Sequence, residues 1–141
     1  MNKSKKILNK KVIRVFLSVP MNGRTSSEVI LAFANAKSQL RELFVGYHIE
    51  FLSGAEKPDD FFERMDRMGL TEMQRRLYMA SDSVNVLSTC DFVYFADGYE
   101  AARGCMLEYA AAQLYMNPVN EEKTLFAADS EAVKMFYEDN K

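Results

Sequence analysis

Tryptophan is absent from this chain, histidine occurs once (His48), and cysteine occurs twice (Cys90 and Cys105). Cysteines outside any CxxC pair, with no Cys/His cluster, argue against a structural zinc site and for a reduced, cytoplasmic protein. A surplus of positive charge is missing as well. The 18 Lys and Arg against 20 Asp and Glu give a net charge of −2, whereas a binder of nucleic-acid polymers would usually be basic. No apolar run reaches the length needed to span a bilayer, so no membrane partner is expected. Lysines ahead of VIRVFLSVP imitate a signal peptide, but Arg14 interrupts the run and no small-x-small cleavage site follows. Internal repeats, linkers and low-complexity segments are also lacking.

What remains is an ordinary soluble composition, 48% hydrophobic and 27% charged over 141 residues, enough for one domain with a real core. Lys3, Lys5, Lys6, Lys10 and Lys11 mark residues 1–11 as a solvated, frayed arm. Residues 12–141 form the domain. Val12 to Val19 is β-branched and aromatic and stops at Pro20, which predicts a buried first strand. Thr25 and Glu28 have capping-box spacing and open a helix to about Phe44, with Val29, Phe33, Ala36, Leu40 and Leu43 inward and Gly46 just past its end. Tyr47 to Leu52 reads as a second strand and Ser53 to Asp60 as a loop. Phe61 to Leu70 reads as a short helix or lid. Its Phe61, Phe62, Met65 and Met68 suit core packing, a lid or an oligomer contact. Thr71 caps a helix to Ser88, with Met73, Leu77, Val84 and Leu87 expected inward. After the next strand and helix, Asn117-Pro118 stops the chain's most apolar helix. A short strand is expected over Lys123 to Ala127, and Asp129 caps a last helix. Strands alternating with helices predict an α/β domain, a parallel sheet of four to five strands with helices on both faces.

The organising stretch is Thr89 to Met116. It predicts a buried strand (Asp91 to Phe95), a polar loop (Ala96 to Arg103) and a helix from about Gly104. That helix is apolar nearly all round, and its polar side chains are Gln113 and the carboxylate of Glu108. Such a carboxylate must find a partner or a cleft, because burying an unpaired charge costs several kcal/mol or forces protonation. Glu108 lies just past the C-terminal end of a strand, where open parallel sheets bind ligands.

Two segments carry a likeness. The first, FLSVPMNGRTSSEV, is a strand followed by S-x-P-M-x-G-[RK]-T. The second, CDFVYFADGYEAARGCMLEYAAAQLY, is an aspartate-led strand, a G-[WY]-E turn and A-R-G-C-x-x-E. Together they resemble the DUF4406 family, and through it the nucleoside 2-deoxyribosyltransferases and the 2'-deoxynucleoside 5'-phosphate N-hydrolases. The resemblance implies a Rossmann-like (flavodoxin-like) three-layer fold, a homodimer or higher oligomer, and a glutamate nucleophile at a helix start. Glu108 matches that glutamate, Asp97 the aspartate that handles the base, and the loop after the first strand the place that holds the sugar or its 5'-phosphate.

The expected activity is therefore cleavage or transfer of the N-glycosidic bond of a (deoxy)nucleoside or its 5'-monophosphate. Glu108 would attack the anomeric carbon to give a covalent glycosyl-enzyme, its charge favoured by the helix N-terminus. The plainer reading pairs Glu108 with Arg103 or a tyrosine for structure alone. Asp97 or Glu100 would protonate the departing base; otherwise Asp97-Gly98 is simply a turn. Ser18, Pro20, Met21, Asn22, Gly23, Arg24, Ser26 and Ser27 surround an anion-friendly helix start, though serine and threonine there also cap helices. Gly98, Tyr99, Arg103 and Gly104 complete the candidate substrate site, with Arg103 on a phosphate or orienting Glu108. Tyr94 and Tyr99 suit base stacking or core. Asp91 suits fixing a loop, and Cys105 suits packing rather than thiol chemistry. No metal or organic cofactor is implied, since carboxylates supply the chemistry. The rival reading is a protein on the same fold that binds a nucleotide or nucleotide-derived signal without turning it over, in phage–host conflict or regulation. A purely structural oligomer is the third.

Overall fold

The computed structural model describes residues 12–55 and 57–139; the lysines of the expected basic arm lie outside them. Strands β1 (Val12–Ser18), β2 (His48–Leu52), β3 (Phe92–Phe95), β4 (Asn117–Pro118) and β5 (Leu125–Ala127) form one open sheet in the order β2-β1-β3-β5-β4. Helix α1 (Ser26–Leu43) joins β1 to β2, α2 (Phe61–Arg67) and α3 (Glu72–Leu87) lie between β2 and β3, α4 (Arg103–Tyr115) joins β3 to β4, and α5 (Ser130–Asp139) follows β5.

Local chemistry explains where the long helices start. Thr25 Oγ1 accepts from the Glu28 amide at 3.2 Å while the Glu28 carboxylate accepts from the Thr25 amide at 2.9 Å. Thr71 and Gln74 repeat this reciprocal cap at α3, at 3.2 and 2.8 Å. Each box satisfies donors that a helix start would otherwise leave open. At α5 the Asp129 carboxylate takes the Ala132 amide at 2.9 Å.

Alternation along the strands sorts the core into two layers. Ile13, Val15, Leu17, Phe92, Leu125 and Ala127 face α1 and α5, where Ala36, Leu40 and Ala132 meet them. Phe16, Val93, Phe95 and Phe126 face α3 and α4, where they meet Leu87 and Ala112. Ser18 has the same parity as Phe16, which turns it toward α4.

The expected all-parallel sheet is corrected in its second half. β1 pairs in parallel with β2 and β3, but β5 runs antiparallel to both β3 and β4. The chain leaves α4 straight into Asn117–Pro118, a strand where only a helix stop was expected, and folds back so that β5 slots between β3 and β4. Asn120 builds the reversal: its side-chain oxygen accepts from the amides of Thr124 and Leu125 at 3.0 and 3.3 Å, and its amide donates to Thr124 Oγ1 at 2.9 Å. Pro118 is tolerated because β4 is an edge strand, where a missing N–H matters little.

The inward positions of α3 are a second correction. Met73 and Leu77 were expected in the core but are 80% and 63% exposed, whereas Leu87 is buried. The first half of α3 stands over a cavity rather than on the sheet, so its apolar residues have nothing to bury against. On α4 only Cys105, Glu108 and Ala112 are buried, and Met106, Leu107, Leu114 and Tyr115 are exposed. The short helix α2 divides likewise, with Phe61 and Met65 buried and Phe62 and Met68 on the surface.

Candidate active site

β1 lies between β2 and β3. The chain leaves β1 toward one side and returns to β3 on the other, so the C-terminal ends of these strands part at a topological switch point. Ser18 ends β1, paired with Phe95 at the end of β3. Beyond β3, the residues Tyr99–Ala101 make a short 3-10 turn and α4 begins at Arg103, which brings Glu108 in its second turn back over the strand ends.

Glu108 is 7% exposed. Ser18 Oγ donates to its Oε1 at 2.7 Å. Oε2 has no hydrogen-bond partner among the described residues, yet it is not sealed: Arg14 Nε is the one sealed side-chain polar atom without a partner there. Glu108 lines a cavity of about 670 Å³ between α3, α4 and the loops that follow β1 and β2, and Oε2 faces that space. Burial pushes its carboxyl up to about 7, against the smaller opposing pull of the Ser18 hydrogen bond and the positive charge of Lys57. Glu108 is the sixth residue of α4, past the first turn in which a helix N-terminus favours a negative charge. Glu108 is held by Ser18 and not by Arg103, which is exposed at the cavity wall and makes no ion pair among the described residues.

The structure divides the expected site residues. Met21, Asn22, Arg103 and Gly104 line the cavity, and Ser18 anchors Glu108 beside it. Pro20, Arg24 and Gly98 gather outside its walls, and the exposed Gly23 is not part of them either. Gly98 has a left-handed φ of 86°, and a Cβ there would stand 2.7 Å from Arg24 Nη2 and 3.7 Å from Pro20 Cγ. Arg24 Nη2 donates to the Asp97 carbonyl at 3.2 Å. The carboxylates of Asp97 and Glu100 belong to exposed residues that are not part of the cavity wall. Tyr99 stacks on Tyr109 with ring centroids 4.9 Å apart and packs against Phe95, so its ring is engaged in the core. Tyr94 donates to Gln39 at 2.9 Å on the opposite face. Asp91 accepts from the Arg14 amide at 2.8 Å and so ties β3 to β1. Cys105 is buried and its thiol is pushed up by that burial, which suits packing.

Several residues of the site were not singled out by sequence. The loop after β2 and the middle of α3 supply Ser53, Gly54, Lys57, Met79 and Ser83 to the cavity. Lys57 Nζ reaches Asp82 at 2.9 Å and Ser83 Oγ and the Met79 carbonyl at 3.3 Å. One signal pointed there: the segment SGAEKPDD follows a parallel strand, at the sheet edge where α/β domains place their ligands.

Among the described residues no group of three or more His, Cys, Asp or Glu side chains gathers where it would hold a metal ion, and no helix is long and apolar enough to cross a membrane. Comparisons of the chain with protein-family models, curated proteins and solved structures give no match.

Proposed function

We propose that the chain is a Rossmann-like domain of the nucleoside 2-deoxyribosyltransferase type that cleaves or transfers the N-glycosidic bond of a (deoxy)nucleoside or its 5'-monophosphate, with Glu108 as nucleophile. The observation that carries this reading is the carboxylate itself, with one oxygen anchored by Ser18 and the other open to a cavity large enough for a nucleoside. In the reaction a bond forms between Glu108 Oε2 and the anomeric carbon while the bond from that carbon to the base nitrogen breaks. The bonding pair leaves with the base, which takes a proton from water, since Asp97, the acid that the likeness implies, stands exposed off the cavity wall. Water or a second base then attacks the same carbon and frees the glutamate. Arg103, Arg76 and Asn22 at the walls suit a sugar 5'-phosphate. The likeness also implies a homodimer or higher oligomer, and the exposed Leu114 and Tyr115, neighbours at the end of α4, offer apolar surface for such a contact.

The exposed position of Asp97, off the cavity wall, favours one other reading, a protein that captures a nucleotide without turning it over. Incubation with a panel of deoxynucleosides and their 5'-monophosphates separates the two. Free base that disappears in Glu108→Gln supports the enzyme; a ligand-induced rise in melting temperature with no base released supports the binder; neither response overturns both.

A further inference from the structure

We propose that Lys57 is a positioning residue for Glu108, a cation locked in place by α3 that supplies the fixed positive charge keeping this carboxylate available. The inference rests on the reading of Glu108 as the reacting group. Its first support is how the lysine is held. The Lys57 side chain is 7% exposed, and its ammonium donates to Asp82 Oδ2 at 2.9 Å, Ser83 Oγ at 3.3 Å and the Met79 carbonyl at 3.3 Å. An ammonium has three donors, so none is left for a ligand. The Phe61 ring lies beneath it, 5.1 Å from Nζ to the centroid. A lysine so engaged cannot swing into the cavity to grip a phosphate; it acts on its neighbours through its field.

The second support is how closely that cluster approaches Glu108. Gly54 separates them, and it has to be glycine. A Cβ there would lie 2.4 Å from Ser83 Oγ and 3.3 Å from Glu108 Oε2. The hydroxyl oxygen that accepts a hydrogen bond from Lys57 and the free oxygen of Glu108 therefore flank the same hydrogen-sized space. Glu108 has no ion pair of its own among the described residues, and in a buried setting an opposite charge nearby stabilises the ionised form.

The other polar and charged groups around Glu108 do not replace Lys57. Ser18 on β1 gives a hydrogen bond but no charge. Cys105 on α4 is a buried neutral thiol. Arg103 on α4 is solvent-exposed, Arg76 on α3 is exposed and paired with Glu72, and Arg24 is turned to the Asp97 carbonyl. Asp82 partly neutralises Lys57, which sets the sign of the test.

The test is a carboxyl carbon-13 NMR titration of the full chain, with Glu108→Gln identifying the Glu108 resonance. Lys57→Met should move the Glu108 midpoint upward by about half a unit or more, and Lys57→Arg should restore most of it. Asp82→Asn leaves Lys57 uncompensated and should move the midpoint the other way, downward. A lysine that merely braces the loop would shift both variants in one direction or neither. An unchanged Glu108 midpoint in a folded Lys57→Met protein, or an upward shift in Asp82→Asn, overturns the inference. The titration needs no turnover, so opposite shifts without base release from any nucleoside sustain Lys57 and sink the glycosidase reading instead.

Discussion

Ser18 and Glu108 lie 90 positions apart in the chain and meet at 2.7 Å between Oγ and Oε1. Strand parity turns Ser18 toward α4, and α4 carries Glu108 back over the strand that Ser18 ends. The bond fixes which oxygen is free. Ser18→Ala removes the only hydrogen bond to this carboxylate among the described residues. Losing a hydrogen bond to a charged group should cost about 1.5–3 kcal/mol where Glu108 is ionised, and less where it is protonated. Urea unfolding of the wild type and Ser18→Ala at pH 5 and pH 9 measures both; an equal loss at the two values contradicts the charge assignment.

Glu108 should also make the fold more stable in mild acid. Its folded value is raised from 4.5 to about 7, so the folded state binds the proton more tightly than the unfolded chain does. Its contribution is complete below about 4.5 and is lost as the pH rises through about 7. The shift corresponds to roughly 3 kcal/mol. Glu108→Gln cannot titrate, so its stability relative to wild type should climb by about that amount from pH 4 to pH 9. A constant difference across this window would show that burial does not disfavour the charge.

Gly54 holds the floor of the site open. An added Cβ would stand 2.4 Å from Ser83 Oγ and 2.9 Å from Ser83 Cβ, so the stem of the serine and not only its tip is in the way. Gly54→Ala should destabilise by about 1–3 kcal/mol, the usual range for an overpacked interior. Trimming the neighbour relieves the clash, so Gly54→Ala combined with Ser83→Gly should lose less than the sum of the two single changes. Strict additivity in a double-mutant cycle would mean that the two residues do not touch.

The β4–β5 hairpin carries a prediction about the part of the sheet that differs from expectation. Asn120 satisfies two backbone amides and the Thr124 hydroxyl, and Lys123 adopts a left-handed φ of 55°. Lys123→Gly removes the side chain that disfavours this conformation and should raise stability by up to about 1 kcal/mol. Asn120→Ala leaves amides without their partner and should cost about 1–3 kcal/mol. Thermal unfolding of both variants reads the opposite signs directly; a destabilised Lys123→Gly would place that residue in an ordinary backbone region.

What the sequence disclosed and what it withheld divide along physical lines. Both capping boxes, Thr25 with Glu28 and Thr71 with Gln74, are local, and their helix starts were legible, although only the first was recognised as a reciprocal box. The burial of Glu108 was legible because a lone carboxylate in an apolar helix has few solutions. Non-local pairing was not. Nothing in Leu125–Ala127 distinguishes a parallel from an antiparallel partner, since that depends on where the hairpin folds back. Met73 and Leu77 read as core because an apolar stripe on a helix usually meets a sheet, and their exposure follows from the cavity beneath α3. Lys57, Asp82 and Ser83 were invisible as a group: a lysine in a polar loop acquires meaning only when a helix begun fifteen residues later, at Glu72, wraps around it.

On the proposed glycosidase reading, Asp97 is the residue that tests how the leaving base obtains its proton. The family likeness gives it that task, yet its carboxylate belongs to an exposed residue off the cavity wall, and its backbone carbonyl is engaged by Arg24 at 3.2 Å. A general acid within reach of the reacting group contributes about 10²–10⁴-fold to rate. If the base is protonated by water, Asp97→Asn should change base release by less than about tenfold, while Glu108→Gln abolishes it. A loss of a hundredfold or more in Asp97→Asn, with substrate affinity kept, would require the loop between β3 and α4 to swing the carboxylate inward during turnover. Arg24→Ala would then test the hinge, because releasing the Asp97 carbonyl should alter that movement without touching the cavity wall.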